Sequence, residues 1–159
     1  MRLRVGQGFD SHPMRPGREL KLGGVTVPHD AGLLGHSDAD VAAHALANAI
    51  LGALGEGDLG RHFPDHDPRY AGADSMGLLN EVWKSATGKG WRLINADLTI
   101  FAQAPKLAAF LEPMRLRLAG ALGADQSRVN VKASNPEGLG TLGRGEGMAA
   151  AAIVMVEKD

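Results

Sequence analysis

The chain contains no cysteine and few aromatic residues. Without cysteine it can form neither disulfide bonds, nor thiolate nucleophiles, nor cysteine-ligated zinc sites. Any metal ion would therefore need histidine and carboxylate ligands. Aromatic residues make up only 4% of the 159 residues, which disfavours the base-stacking surfaces that RNA-binding proteins use.

The chain also lacks an excess of either charge and a long apolar run. The chain has 17 Lys and Arg residues and 18 Asp and Glu residues, which gives a formal net charge of −1. It therefore has no overall basic field that would attract nucleic acid or anionic lipid. No segment approaches the roughly 18 apolar residues of a membrane span, and the N-terminus lacks the apolar region of a signal peptide. We therefore expect a cytoplasmic protein without nucleic-acid or membrane partners.

Glycine, by contrast, is abundant, with 22 residues. Hydrophobic residues account for 44% and charged residues for 22%, as in folded globular proteins. The length suits one domain, and we expect it to span residues 1–159. Strand and helix patterns alternate without a repeat or linker, which favours an α/β or α+β layer structure.

Apolar residues at three- and four-residue spacing predict three helices. The first begins at about Ser37, because Ser37 and Asp40 resemble a capping box. The second runs from Asp74 to about Thr87, and the third covers Leu107 to Leu122 with a restart at Pro113. The segment 55–68 has no apolar period and is predicted to be a loop of the kind that often carries function.

Strand patterns occur at both ends and in the middle of the chain. Arg2 to Val5 predicts a short strand that ends in a turn loosened by Gly6 and Gly8. Two apolar pieces around Gly23 and Gly24 suggest a hairpin. Alternation after Trp91 puts Ile94 on the buried face together with Ala96, Leu98, Ile100 and Ala102. Two more strands are expected over Arg128–Ala133 and Met148–Val156, the latter buried on both faces.

The first candidate site is a metal site formed by Asp10, His12 and His44. Residues two apart in an extended segment point to the same side, so Asp10 and His12 can face one ion. Two imidazoles and a carboxylate are the protein ligands of an open catalytic zinc site. The alternative is that Asp-x-His is a chance tripeptide and that His44 faces solvent.

The helix start and the loop after the first helix are the second and third candidates. His36 and Ser37 precede a helix, whose N-terminus could bind phosphate or could simply be capped. The loop containing Asp58, Gly60 and Asp65 could hold sugar hydroxyls or form a turn that satisfies its own backbone.

The remaining candidates lie in the last third of the chain. Ala102 to Lys106 could read a base edge or merely connect a strand to a helix. Asn130 to Glu137 could hold a diphosphate and its magnesium, since Mg²⁺ is usually bound by carboxylate and phosphate. Arg144 lies among glycines, either in a tight turn or as a phosphate contact. His29, His62 and His66 are interpreted as surface residues.

The order of these motifs is far more specific than any one of them. The chain contains, in order, Gly-Phe-Asp-Ser-His, His-Ser-Asp-Ala-Asp-Val-Ala-x-His-Ala-Leu, Gly-Asp-Leu-Gly, Phe-Pro-Asp-x-Asp-Pro, Ala-Gln-Ala-Pro-Lys, Asn-Val-Lys-Ala and Gly-Arg-Gly-Glu-Gly. This series resembles the 2-C-methyl-D-erythritol 2,4-cyclodiphosphate synthase family, from about Val5 to the last strand.

The resemblance implies an α+β fold, with a mixed β-sheet and helices packed on one face. It implies a lyase of the non-mevalonate isoprenoid pathway, in which the 2-phosphate of 4-diphosphocytidyl-2-C-methyl-D-erythritol 2-phosphate attacks the β-phosphate and CMP leaves. It also implies a homotrimer with active sites between subunits and a Zn²⁺ ion, or another divalent metal, on Asp10, His12 and His44. Glu137 would hold Mg²⁺ or Mn²⁺ with the substrate diphosphate.

The resemblance also assigns roles along the chain. Catalytic roles fall to His36, Asn135 and Glu137, and Arg144 and Glu146 match residues near the threefold axis. The residues expected to contact substrate are Ser37, Asp58, Gly60, Phe63, Asp65, Ala102, Gln103, Ala104, Pro105, Lys106, Leu107, Ser134 and Arg144.

The chain departs from the family pattern at four positions. Ser134 and Asn135 stand where two threonines are usual, Asn48 where an acidic residue is common, and Thr141 where an aromatic residue is frequent. Asn135 and Asn48 motivate an alternative, a catalytically impaired trimeric module that binds the cytidine diphosphate moiety. A generic metal-dependent phosphatase is a third interpretation.

Overall fold

The protein is described by a computed structural model that covers residues 1–159. It contains seven strands: β1 (Arg2–Pro16), β2 (Leu20–Leu22), β3 (Val25–Val27), β4 (Ala31–Leu33), β5 (Arg92–Phe101), β6 (Val129–Ser134) and β7 (Gly147–Lys158). Five of them form a mixed sheet in the order β4-β1-β7-β5-β6, and β2 and β3 form a separate hairpin. β1 and β7 pair antiparallel from Arg2 opposite Lys158 to Pro13 opposite Gly147, whereas β5 and β6 run parallel.

The long helices pack on one face of the sheet and enclose the main core. This is the predicted α+β arrangement. None of the helices combines the length and apolar character that crossing a lipid bilayer would require. The helices are α1 (Val41–Leu54), α2 (Leu59–His62), α3 (Ser75–Gly88), α4 (Leu111–Ala121) and α5 (Gly140–Gly143).

Helix α1 lies directly on β1 because two glycines remove the side chains between them. A Cβ atom at Gly6 would lie 1.9 Å from the carbonyl oxygen of Ala49, and one at Gly8 would lie 2.0 Å from that of Ala45. The prediction that the first strand ends in a turn at these glycines is therefore wrong. They lie inside a long strand, where backbone meets backbone.

The start of α1 also differs from the prediction. Asp40, rather than Ser37, is the N-cap, and its carboxylate accepts hydrogen bonds from Ala42 and Ala43, each at 3.1 Å. The same carboxylate accepts from the backbone N–H groups of Gly23 and Gly24 at 2.8 Å. Asp40 is fully buried, and this burial raises the pKa of its carboxyl group. One side chain thus joins α1 to the β2–β3 hairpin, which forms at the predicted glycines.

Other element boundaries depart modestly from their patterns. A one-turn helix over Ala108–Phe110 precedes α4, so the third helical region divides two residues before Pro113. The register of β5 shifts between Leu93 and Asn95. Leu93 is therefore buried in place of Ile94, and the simple alternation predicted there is wrong at its first position.

The sheet face opposite the helices is apolar along β1 and β7. In the single chain Leu3 is 50% exposed, Val5 61%, Phe9 56% and Ile153 53%. The prediction that the last strand is buried on both faces is therefore wrong for one isolated chain. Its side chains alternate between the core and this uncovered face.

Candidate metal centre and substrate pocket

Asp10, His12 and His44 meet where α1 crosses β1. The Asp10 Oδ2 atom lies 3.0 Å from His12 Nε2 and 3.0 Å from His44 Nδ1, and the two ring nitrogens lie 3.4 Å apart. His44 is 8% exposed, so the alternative in which it faces solvent is wrong. The close approach of Gly8 to Ala45 brings the neighbouring His44 against β1.

The three groups form a set of donors that one metal ion could share. One ligand atom from each residue lies within 4.8 Å of the others. Burial by itself would raise the pKa of the Asp10 carboxyl group. Hydrogen bonds from both imidazoles outweigh burial and hold this pKa below its ordinary value. The hydrogen bond to Asp10 raises the pKa of His12 despite partial burial. An anionic oxygen and two ring nitrogens converging on one point fit a divalent cation.

A cavity of about 240 Å³ opens beside this triad. It contains five other predicted site residues, and it adds residues that the sequence did not single out as substrate contacts. The predicted ones are His36, Ser37, Gly60, Phe63 and Asp65, and the added ones are Asn48, Leu59, Tyr70 and Leu78. We call the triad together with the five predicted residues the metal-side group.

Two of the added residues shape the cavity. The Tyr70 ring packs edge-on against Phe63, with ring centroids 5.2 Å apart. Asn48 Oδ1 accepts a hydrogen bond of 2.8 Å from the Leu59 N–H, which fixes the start of α2 next to α1. Asn48 therefore supports the wall of the cavity. Asp58 does not line it, because its side chain caps α2 through the Arg61 N–H at 2.9 Å.

A second group of predicted residues lies at the ends of β5 and β6. The Ala102 N–H donates to the Ser134 carbonyl oxygen at 3.2 Å, and the Gly138 N–H donates to Gln103 Oε1 at 3.0 Å. The structure thus brings the loops after the two strands together. We call residues 102–107 with Ser134, Asn135 and Glu137 the strand-end group.

The strand-end group is open to solvent in the single chain. Lys106, Ser134, Asn135 and Glu137 are all exposed. Asn135 Oδ1 accepts from the Glu137 N–H at 2.7 Å, and Glu137 has a left-handed φ of 54°. None of these residues lines the cavity beside the triad.

Arg144 lies apart from both groups, after α5. Its Nε atom donates to Glu146 Oε1 at 2.5 Å, and both side chains are exposed. This hydrogen bond raises the pKa of Arg144 and lowers that of Glu146. Within one chain the two charges neutralise each other.

Comparison with known proteins gives a consistent family assignment. The model of the YgbB family matches residues 3–157. The chain belongs to the YgbB family. It is 59% identical over 156 residues to the 2-C-methyl-D-erythritol 2,4-cyclodiphosphate synthase of Geobacillus kaustophilus, covering 98% of this chain and 99% of that protein. The Moorella thermoacetica synthase is 55% identical over 154 residues, covering 97% and 94%.

Several solved structures share the fold of this chain. The bifunctional IspDF protein of Campylobacter jejuni superimposes with a TM-score of 0.95 at 42% identity, over 99% of this chain and 43% of that one. A CDP-bound 2C-methyl-D-erythritol-2,4-cyclodiphosphate synthase superimposes with a TM-score of 0.89 at 36% identity, over 97% of this chain and 100% of that one. The CDP complex of Plasmodium falciparum IspF gives 0.87 at 29% identity, over 99% and 97%.

Proposed function

We propose that this chain converts 4-diphosphocytidyl-2-C-methyl-D-erythritol 2-phosphate to 2-C-methyl-D-erythritol 2,4-cyclodiphosphate and CMP, as a phosphorus-oxygen lyase of non-mevalonate isoprenoid precursor synthesis. The observation that carries the proposal is the 59% identity to a synthase over 98% of the chain. The impaired binding module loses its support, since relatives at 54–59% identity are named synthases.

We propose that Asp10, His12 and His44 hold a divalent metal, Zn²⁺ or another ion of similar preference. Their fit is supported by the convergence of one carboxylate oxygen and two ring nitrogens within 4.8 Å. The chemistry that such an ion supplies is Lewis-acid polarisation of a phosphate oxygen. The chain's own contribution is to hold the three ligands on a rigid strand and helix.

The metal-side cavity is proposed to bind the methylerythritol 2-phosphate end of the substrate. His36 and Ser37 would donate hydrogen bonds to the 2-phosphate. Asp65 and the backbone at Gly60 would accept hydrogen bonds from the sugar hydroxyls. Phe63, held by Tyr70, supplies an apolar wall. Because the attack is intramolecular, catalysis needs the substrate to be folded back and charge to be stabilised, without a protein nucleophile.

The strand-end group is proposed to bind the cytidine diphosphate moiety. Backbone groups of Ala102 to Leu107 would read the cytosine edge, and Lys106 with Ser134 and Asn135 would contact the phosphates. Glu137 would hold Mg²⁺ or Mn²⁺ together with the diphosphate, a ligand set that neutralises charge on the leaving CMP. The CDP bound in two solved relatives supports this choice of nucleotide.

A homotrimer with active sites between subunits would unite the two groups. The proposal is supported by their separation in one chain and by the uncovered apolar face that includes Leu3, Val5, Phe9 and Ile153. Near a threefold axis Arg144 and Glu146 would alternate with their copies. Arg144→Glu should dissociate the trimer, because six carboxylates would then crowd the axis.

A complementation experiment tests the shared site directly. Alone, we expect His44→Ala to keep about a hundredth of wild-type turnover or less, and Glu137→Gln to keep about a tenth. Mixed trimers formed by co-expression should regain about a quarter of wild-type activity, since random pairing places two intact halves together at one interface in four. No recovery in demonstrated mixed trimers would mean that each site is built from one chain.

The reaction itself is tested by incubating the purified protein with the diphosphocytidyl substrate and Mg²⁺. Phosphorus NMR should show the cyclic diphosphate together with released CMP. Release of inorganic phosphate would indicate the phosphatase instead, and nucleotide binding without turnover would revive the impaired module. A cytoplasmic location remains part of the proposal, to be tested by fractionation of the native host.

A further inference from the structure

The ring edge of His44 that points away from Asp10 is in contact with buried hydroxyl groups. His44 Nε2 lies 2.8 Å from Ser75 Oγ and 3.1 Å from Ser37 Oγ. Ser75, the first residue of α3, is 1% exposed. The ring is thus held between Asp10 on one side and these two hydroxyls on the other.

Ser75 is in turn hydrogen bonded to Asp38, the residue after Ser37. The Ser75 hydroxyl contacts Asp38 Oδ1, and the Ser75 backbone N–H donates to Asp38 Oδ2 at 3.3 Å. Asp38 Oδ1 also accepts from the Asp40 N–H at 3.2 Å. The carboxylate therefore bridges the segment before α1 and the first turn of α3.

The donor directions along this chain are fixed by chemistry. A carboxylate offers only acceptor atoms, so the Ser75 hydroxyl must donate its single proton to Asp38. Its oxygen is then an acceptor toward His44, which requires the ring proton to be on Nε2. Nδ1 faces Asp10 and His12, and without a metal ion it donates to Asp10 Oδ2 at 3.0 Å. Because Nε2 keeps its proton for Ser75, Nδ1 is the ring atom that could exchange this hydrogen bond for a metal ion.

We propose that Asp38 and Ser75 are positioning residues that keep His44 in the ring orientation and tautomer required of a metal ligand. The inference rests on the metal site proposed above and extends it to two residues outside the donor triad. Ligating histidines commonly pass their other N–H to such a partner, and losing it typically weakens metal binding 10- to 100-fold. Here a serine connects the carboxylate to the ring.

Four variants separate this role from a general effect on folding. Ser75→Ala removes the nearer of the two acceptors for the Nε2 proton and leaves only Ser37 Oγ at 3.1 Å. Asp38→Asn keeps the shape but loses an acceptor, because an amide can keep only one of the two positions that now receive N–H groups. The matched controls are Ser85→Ala, an exposed serine later in α3, and Asp74→Asn, an exposed carboxylate next to Ser75.

Two readouts are measured on purified apoprotein with Zn²⁺ and Co²⁺ as the probes. Competition with a chromophoric chelator gives the Zn²⁺ affinity, and the visible spectrum of the Co²⁺ form reports the ligand field at the metal. We expect Ser75→Ala to bind Zn²⁺ 10- to 100-fold more weakly, Asp38→Asn about 10-fold more weakly, and both to shift the Co²⁺ bands. The two controls should stay within about twofold of wild type.

The double variant sharpens the interpretation. If Asp38 acts through Ser75, Asp38→Asn adds nothing to the loss already caused by Ser75→Ala, whereas independent structural effects would add. Should Ser75→Ala fail to fold, Ser75→Thr keeps the hydroxyl and is expected to retain wild-type affinity and spectrum, while Asp38→Asn still shows the loss.

The outcomes distinguish this inference from the metal site itself. A wild-type protein that binds no Zn²⁺ would disprove the metal site and the inference together. If the wild-type protein binds Zn²⁺ and a folded Asp38→Asn variant has the same Zn²⁺ affinity and the same Co²⁺ spectrum, the positioning role alone is disproved. Additive losses in the double variant would also contradict it.

Discussion

The metal-side group and the strand-end group differ in how much of their geometry one chain completes. The metal-side group is backed by α1, α3 and fully hydrogen-bonded buried side chains, and no buried side-chain polar atom in the protein lacks a partner. The strand-end group lies on two loops held by a few hydrogen bonds. Its polar residues Lys106, Ser134, Asn135 and Glu137 are exposed, and only Ala102 and Leu107 are buried. The metal-side group is therefore preorganised within one chain, whereas the strand-end group depends on its surroundings for order.

The largest expected effect comes from removing a ligand of the preorganised half. His44→Ala should abolish most of a metal content of about one ion per chain, because two ligands cannot maintain the open site. Turnover should fall by about 100-fold or more. Metal analysis and CMP release measure both effects, with His29→Ala, an exposed histidine, as the matched control. A full metal complement in His44→Ala would remove this residue from the site.

A substitution on β1 should disturb the metal-side group by displacing α1, the helix that carries His44. Gly8→Ala would place a Cβ atom 2.0 Å from the Ala45 carbonyl oxygen, so α1 must move away from β1. We expect a loss of about 3 kcal/mol in the free energy of unfolding and weaker metal binding, measured by urea denaturation and metal titration.

Gly120→Ala is the matched control for this change. A Cβ atom at Gly120 meets nothing within 4 Å, and the residue lies inside α4, where alanine should stabilise the helix by about 0.5–1 kcal/mol. If Gly8→Ala were as stable as Gly120→Ala, the contact between α1 and β1 would be looser than the structure shows.

The strand-end group should respond to substitution in kinetics rather than in stability. Glu137→Gln should lower turnover about 10-fold while CMP affinity changes little, since the carboxylate is assigned to the metal of the diphosphate and not to the base. Kinetics and nucleotide binding by calorimetry test this. Equal losses in both would make Glu137 a binding residue, and a large loss of stability would contradict the contrast between the two groups.

The smallest effect is expected at Asn48. Asn48→Asp keeps an oxygen that can accept from the Leu59 N–H, so we expect turnover and stability to change by no more than about twofold and 0.5 kcal/mol. Asn48→Leu removes the acceptor and leaves the Leu59 N–H without that partner. A large gain in turnover for Asn48→Asp would mean that the natural asparagine limits catalysis.

Sequence patterns could predict the donor triad but not its geometry. Spacing placed Asp10 and His12 on one side of a strand, yet it could not decide whether His44 faces them. That depends on the close approach of α1 to β1, and the glycines that permit it are equally typical of a turn. The capping pattern was similarly ambiguous, because both Ser37 and Asp40 suit an N-cap and only burial with the hairpin selects Asp40.

The contacts that sequence reasoning missed are those between distant, ordinary residues. Asp38 and Ser75 lie 37 positions apart, and neither carries a motif that points to the other. Tyr70 was missed for a related reason, since its contact with Phe63 depends on how the loop after α1 folds over the cavity. The apolar run of the last strand predicts burial on both faces, but a single chain covers only one of them.

The position of β7 governs when the sheet can be completed. It is the last of the seven strands in chain order, yet it lies between β1 and β5 and pairs with both. During synthesis on the ribosome, β1 can dock against α1 as soon as both have emerged, while β5 has no neighbour on its β7 side. The unpaired backbone edges of β1 and β5 stay open until β7 has emerged. This is the interval in which a growing chain most needs protection from aggregation.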